Sequence, residues 1–272
     1  MFTETFPSPF VLDTHEYPRF PASLPTSEIR EGKYIVRFAA GRAELDEVLK
    51  LRFEVFNLEL GEGLESSFLT GRDMDEYDLA CHHLIVIEEA SGKLVGTYRL
   101  QTGAMAAAAK GFYSGSEFDL SSLPLELLED SVELSRACIA KPYRNTQVLF
   151  LLWKGLASYI AFNRKRFLFG CCSLTSQDPA EGKLTMELLE REGHLHQQFQ
   201  VAPKAAAVCY APDFVAAAAT VKLPRLFRTY LRFGAKVCGP PAIDRAFKTI
   251  DFFVLFDLFA MDRQTQQMFF GT

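Results

Sequence analysis

The chain has 272 residues, 49% of them hydrophobic and 23% charged, an ordinary balance for a globular protein of one large domain or two small ones. A net charge of −5 argues against nucleic-acid binding by bulk electrostatics. Phe occurs 25 times against nine Tyr and one Trp, which suits a large aromatic core or an apolar cavity for a long hydrocarbon.

Residues 1–30 hold five prolines (Pro7, Pro9, Pro18, Pro21, Pro25) and little periodicity, so an extended N-terminal arm is expected, followed by a single domain over 31–272. No basic start leads into an apolar run. The most apolar stretches, Val148–Trp153 and Phe252–Phe256, fall short of the ~20 residues of a membrane span. A cytoplasmic location is therefore expected, with peripheral contact to the inner membrane face as an option. Lys33–Ala39 alternates and predicts a strand. Ala43–Asn57 predicts a helix, with Leu45, Val48, Leu49, Arg52 and Phe56 near helical spacing. Residues 59–78 then set seven acids (Glu59, Glu62, Glu65, Asp73, Asp75, Glu76, Asp78) against one base, Arg72. That pattern fits a solvated acidic loop, or a loop that attracts a cationic substrate. His82–Glu88 and Lys93–Thr102 predict a hairpin turning at Ser91-Gly92. Residues 103–130 look irregular, with a short helix near Pro124–Glu129.

The next stretch, Ser131–Arg144, is the unusual one. Val132, Leu134, Ala137, Cys138 and Ile139 suit a buried strand, but Glu133 and Arg136 do not. Such charges must be paired or face a cleft, so this strand is expected to floor an active site. Strict alternation puts Glu133 and Arg136 on opposite faces; a bulge between them would unite them. A helix follows over Arg144–Asn163, and a strand over Arg166–Ser173. A second helix, Pro179–Glu192, starts on Asp178 as N-cap with Pro179 at its first position. Leu223–Phe233 predicts a helix ended by Gly234, and Thr249–Leu258 an apolar strand. The order implies an α/β or α+β domain with a mixed sheet.

Six Cys without a Cys-x-x-Cys pair read as buried reduced thiols. His194-x-His196 has no neighbouring Cys or carboxylate set, and no metal is expected. Residues 141–166 carry six bases and no acid, and residues 222–236 five bases and no acid. In the latter, Arg225, Arg228 and Arg232 share one helical face. Both runs fit plain solvated faces, an acidic protein partner or anionic headgroups.

Four fragments, Arg52-x-x-x-Phe56, Asp75-x-x-Asp78, Gly96-Thr-Tyr-Arg99-Leu and Glu133-x-x-Arg136, resemble the acyl-homoserine-lactone synthases of the GNAT superfamily. A longer set spans roughly residues 33–258. It comprises Cys81-His-His-Leu-Ile-Val, Leu134-Ser-Arg-Ala-Cys-Ile with Tyr143-Arg144, Leu151-Leu-Trp-Lys-Gly, Phe169-Gly-Cys-Cys-Ser-Leu, Tyr230-Leu-Arg-Phe-Gly-Ala and Phe247-Lys-Thr-Ile-Asp. This set resembles the L-ornithine Nα-acyltransferases of ornithine-lipid synthesis. His82 stands where that family usually has Asp. No Trp lies between Phe56 and Asp75, where the lactone synthases carry one.

The resemblance implies a GNAT-like mixed, largely antiparallel sheet flanked by helices, with a C-terminal extension of helices and strands. It implies transfer of a fatty acyl group, a 3-hydroxyacyl chain being favoured, to the α-amine of ornithine. Glu133 is the expected base, and backbone N–H groups of its strand the expected oxyanion donors. Arg52, Asp75, Asp78, Arg99 and Arg136 are expected to bind substrate, or to form an internal Arg–Asp network. GNAT enzymes that use coenzyme A typically place a glycine-rich loop at the helix after this strand; here the turn reads Arg144-Asn-Thr-Gln-Val-Leu. An acyl-carrier protein is therefore the expected donor, bringing its own phosphopantetheine, with no other cofactor. Lys141, Arg144, Arg164, Lys165 and Arg166 are its expected docking bases. Other readings are an acyl-homoserine-lactone or other N-acyl amino acid synthase, or a non-catalytic carrier-protein or membrane adaptor.

Overall fold

The computed structural model describes residues 17–217 and 221–270, with side chains to 267. Nine strands form one sheet among the described residues. They are β1 (Ile29–Glu31), β2 (Tyr34–Phe38), β3 (His82–Glu88), β4 (Lys93–Thr102), β5 (Ser131–Ile139), β6 (Phe167–Leu174), β7 (Lys236–Val237), β8 (Ala242–Asp244) and β9 (Thr249–Asp257). The order is β1-β2-β3-β4-β5-β6-β9-β7, with β8 also on β9. Every pairing is antiparallel except β5 with β6. Eight helices accompany them among the described residues: α1 (Arg42–Arg52), α2 (Ser67–Thr70), α3 (Gly103–Ala107), α4 (Leu125–Glu129), α5 (Thr146–Asn163), α6 (Pro179–Arg191), α7 (Arg225–Arg232) and α8 (Arg263–Phe270). The expected mixed, largely antiparallel sheet with flanking helices is what the chain forms.

The two sheet faces differ. On one, α5 lays Val148, Leu151, Leu152, Leu156 and Ile160 on Val36, Leu84, Tyr98, Val132 and Leu168. Asn145 starts α5 by accepting the Val148 N–H at 3.0 Å. Gly155 lets that helix approach, since a Cβ there would lie 2.6 Å from a Leu84 methyl. On the other face, α1 packs Leu45, Val48 and Leu49 against Ile85. Beyond β6 that face is covered by Phe112, Phe118 and Leu127 against Phe169 and Phe253.

The hairpin forms at its predicted limits. The predicted helix 43–57 instead ends as α1 at Arg52 and continues as a π-helical turn, Phe53–Glu59. The expected arm is a strap where it is described. The Tyr17 ring lies tilted against His83 at 5.8 Å, the Phe20 carbonyl meets His82 Nε2 at 3.1 Å, and Ile29–Glu31 adds the edge strand. Pro7 and Pro9 lie outside the described residues. Among the described residues, no helix is long and apolar enough to cross a membrane.

Candidate active site

β5 and β6 run parallel only from Ser131–Phe167 to Glu133–Phe169. Beyond that the strands diverge, and Leu134, Ser135, Arg136 and Ala137 line a cavity of about 560 Å³ instead of a neighbouring strand. Two β5 residues, Arg136 and Ala137, oppose the single Tyr98 of β4, so the register slips between Thr97 and Arg99. Arg136 takes a φ of 50° at this bulge, a conformation that costs a non-glycine residue of order 1 kcal/mol. The bulge expected between Glu133 and Arg136 is not there: the register is regular through Leu134 and Ser135, and the bulge falls at Arg136–Ala137. Glu133, Ser135 and Arg136 nonetheless share the α1 face, while Leu134 and Ala137 pack towards α5.

The cavity therefore has two ends, one on each side of the sheet. The α5 end is apolar, walled by Leu156, Ile160, Leu168, Phe227, Tyr230 and Phe256. The α1 end presents Glu62, Tyr113, Arg136, Cys171 and Asp251. They meet at the open edge of β5.

Of the five expected substrate-binding residues, Arg136 alone lines the cavity. The other four are drawn into a network beneath it. Arg52 donates to Asp73 at 2.8 Å and to Asp78 at 2.6 Å, and Arg99 donates to Asp75 at 2.6 Å and Asp78 at 3.0 Å. Arg52, Asp73, Asp78 and Arg99 have no exposed surface. Burial opposes the charge on Asp78, but Arg52 and Arg99 outweigh it and hold its carboxyl well below the usual range. Three guanidiniums face three carboxylates, so the cluster is internally neutral. Arg136 is held more loosely, 3.3 Å from Asp75 and 3.4 Å from Asp73, with Phe247 3.9 Å and Tyr113 4.7 Å from its guanidinium carbon.

The acidic segment is thus spent mostly on internal partners: Glu59 on Arg144, Glu65 on Lys248, Glu76 on Lys110, and the three aspartates on arginines. Glu62 is the one acid of this segment on the cavity wall. Burial raises its pKa, against a hydrogen bond from Thr175.

Glu133, the expected base, does not line the cavity. Its carboxylate accepts the Tyr113 N–H at 2.7 Å, the Ser114 N–H at 2.7 Å and the Ser114 hydroxyl at 2.6 Å. It anchors the turn that sets Tyr113 between Arg99, at 5.0 Å, and Arg136. The strand does carry the charge as expected, and its carboxylate is engaged by the turn that walls the site.

The expected docking bases do not form one patch. Lys141 and Arg144 precede α5, whereas Arg164, Lys165 and Arg166 follow it. That 18-residue helix is about 27 Å long. Arg144 forks onto Glu59 at 2.6 and 2.8 Å, and Arg166 onto Asp257 at 2.8 and 2.6 Å. Lys165 donates to the Glu129 carbonyl at 2.6 Å. Of the five, only Arg144 borders the cavity, together with Arg225 of α7. His194 and His196 do not converge on a metal-like set. His196 Nδ1 accepts two main-chain N–H groups, from Gln198 at 3.1 Å and Phe199 at 3.0 Å.

Residues 51–154 match the Acetyltransferase (GNAT) domain family. The chain is 32% identical to the L-ornithine N(alpha)-acyltransferase of Brucella abortus (strain 2308), over 83% of this chain and 85% of that one. It is 30% identical to the enzyme of the same name from Rhizobium meliloti (strain 1021), over 94% and 91%. The chain belongs to the L-ornithine N(alpha)-acyltransferase family. Among solved structures, the AHL synthase LasI aligns with a TM-score of 0.48 at 16% identity, over 89% of this chain and 96% of that one. As a member of this family the protein is an N-acyltransferase of GNAT fold, and the split between β5 and β6 is the candidate place for its chemistry.

Sequence reasoning gave no role to Tyr113, Glu117, Gly170 or Asp251, the last two standing only inside the quoted fragments Phe169-Gly-Cys-Cys-Ser-Leu and Phe247-Lys-Thr-Ile-Asp. Asp251 carried a legible signal. It is a carboxylate inside Thr-Ile-Asp-Phe-Phe-Val-Leu-Phe, the same anomaly that singles out Glu133.

Proposed function

We propose that the protein moves a fatty acyl group from an acyl-carrier-protein thioester to the α-amine of ornithine, giving a lyso-ornithine lipid. The observation that carries this reading is the two-ended cavity, apolar towards α5 and polar towards α1, open at the edge of β5. An acyl chain fits the apolar end, where its transfer from water is worth ~0.8 kcal/mol per CH₂. The amino acid fits the other end. Arg136, the least tightly paired guanidinium of the cluster, faces its carboxylate.

The α-amine must lose a proton before its lone pair attacks the thioester carbon. Glu62 is placed to take it. Its burial raises its pKa towards working pH, and it shares the cavity with Arg136. Main-chain groups of Leu134–Ala137, freed of a β6 partner, stabilise the oxyanion. Collapse then breaks the C–S bond, and the departing thiolate takes up the second proton, which the attacking nitrogen sheds as the amide forms. No covalent enzyme intermediate is required. Burial pushes the Cys138 thiol up to about 12 and raises Cys171 well above the ordinary thiol value, which suits inert thiols.

The carrier-protein donor is supported by the turn before α5. It has no glycine, and the Asn145 side chain already occupies a first-turn N–H that a pyrophosphate would use. The exposed bases Arg144 and Arg225 stand beside the cavity and suit an acidic carrier. The remaining bases of α7, Arg228 and Arg232, are exposed while Phe227 and Leu231 are buried. Such a face suits a membrane that receives the amphiphilic product.

The test offers the enzyme acyl-carrier protein and acyl-CoA bearing the same acyl chain, with ornithine, and follows free thiol and the product mass. Ornithine acylated at the α-nitrogen, faster from the carrier protein, supports the proposal. Preferential use of acyl-CoA overturns the donor. Acylation of other amino acids with ornithine refused overturns the acceptor.

A further inference from the structure

A second group of acids lies at the α1 end of the cavity, outside the Arg–Asp cluster. Asp251, on β9, pairs in register with Ser173 of β6, two residues beyond Cys171. Glu117 follows the Tyr113–Ser116 turn. Carboxylate oxygens of Glu117 and Asp251 and the Cys171 sulfur all lie within 4.8 Å of one another. Glu117 is 6% exposed and Asp251 3%. Ser173 hydrogen-bonds to Asp251, but apart from what the two acids share with each other no donor reaches either oxygen of Glu117 or Oδ1 of Asp251.

This arrangement is unusual. Two carboxyls are enclosed on the Phe118, Phe169 and Phe253 side of the sheet without an arginine or lysine between them. The other acid groups of the chain show the alternative: Asp73, Asp75 and Asp78 each meet a guanidinium. Here burial raises the pKa of Glu117 far above the carboxylate range, with Asp251 adding to the effect, and burial raises Asp251 too. Two carboxyls so placed retain a proton until a cation takes its place. Asp251 and Cys171 open onto the cavity, on the same side of the sheet as Arg136. A positive group entering with the amino acid reaches them; one on the acyl chain does not.

We propose that Glu117 and Asp251 form the subsite for the side-chain ammonium of the acceptor, and so select a diamino acid. This rests on the ornithine reading above. Arg136 takes the α-carboxylate, the α-amine lies at the β5 edge, and the δ-ammonium sits between Glu117 and Asp251. The ammonium replaces the proton the pair holds, and that proton leaves to water. Cys171 is a wall of the subsite and does no chemistry.

The test compares kcat/KM for ornithine with that for norvaline, which has the same carbon chain without the amine. It uses the full-length chain with Asp251→Asn and, separately, the isosteric Glu117→Gln. Loss of a buried charge-assisted contact corresponds to ~30-fold or more in affinity. The preference of the native enzyme for ornithine over norvaline should therefore fall by about that factor in both variants, chiefly through KM for ornithine. The ratio is internal to each variant, so partial unfolding does not mimic the effect. A native enzyme that prefers ornithine, with variants that keep the preference, overturns the subsite and leaves the function standing. A native enzyme that refuses ornithine overturns the function first. Stoichiometric zinc in the purified chain, lost in Asp251→Asn, overturns the ammonium assignment in favour of a metal.

Discussion

Gly170 lies so close beneath Leu134 that a Cβ built on it would stand 2.2 Å from the Leu134 carbonyl oxygen. The contact falls one residue past the last β5–β6 pair, Glu133 with Phe169, where the strands begin to part. Backbone against backbone cannot yield as a side chain would. Gly170→Ala should widen the split at its root, costing about 1–3 kcal/mol of stability and most of the acyl-transfer rate. Thermal melts with a turnover assay check this; a variant with native melting and native kcat would show that the closeness is incidental.

Arg52 and Arg136 are both buried arginines but should answer mutation differently. Arg52→Ala leaves Asp78 to Arg99 alone and Asp73 only the longer contact with Arg136, in a cluster with no exposed surface. The expected loss is ~3–5 kcal/mol, seen as a large fall in denaturant midpoint. Arg136→Gly removes a looser guanidinium and also relieves a left-handed backbone at φ 50°. It should retain more of the fold while KM for ornithine rises about 30-fold or more.

Glu62 and Glu133 should separate in a pH–rate profile. Glu62 acts ionised, and burial raises its pKa, so its limb of kcat lies above the ordinary carboxylate range. Glu62→Gln should remove that limb and lower kcat by ~10²–10⁴. Glu133→Gln places an amide NH₂ against donors from Tyr113 and Ser114. It should lower the melting temperature and the rate without changing the shape of the profile.

His82 and His83 are both buried, and burial lowers each pKa to about 4. The unfolded chain protonates them near 6.5 while the folded one does not. Their stability contribution is therefore complete above pH 6.5 and is lost as pH falls from there towards about 4, at ~1.4 kcal/mol per pH unit for each. Glu117 has the opposite sign. Its raised pKa makes its contribution full below the ordinary glutamate value and progressively lost as pH rises. Melts from pH 5 to 8 should show the acid loss in the native protein. Glu117→Gln should gain stability at pH 8 relative to pH 5.

Much of this protein was determined locally. The hairpin His82–Glu88 and Lys93–Thr102, the strand Ser131–Ile139 and the start of α6 at Asp178 follow from alternation, turn chemistry and capping, which need only neighbours in the chain. The short strands Lys236–Val237 and Ala242–Asp244 have too few residues for any period, and exist because β9 offers them a ladder. The sequence also marked Glu133 and Arg136 as charges that needed partners. Which partners they found was a tertiary matter. A two-for-one bulge turned Arg136 to the same face as Glu133, and the loop at Tyr113 then claimed the carboxylate. The same is true of the acids. Sequence could count those of residues 59–78, but only packing decided that arginines neutralise three of them, whereas Glu117 and Asp251, 134 positions apart in the chain, meet with no cation between them. A charge is a property of the residue; whether it is satisfied is a property of the fold.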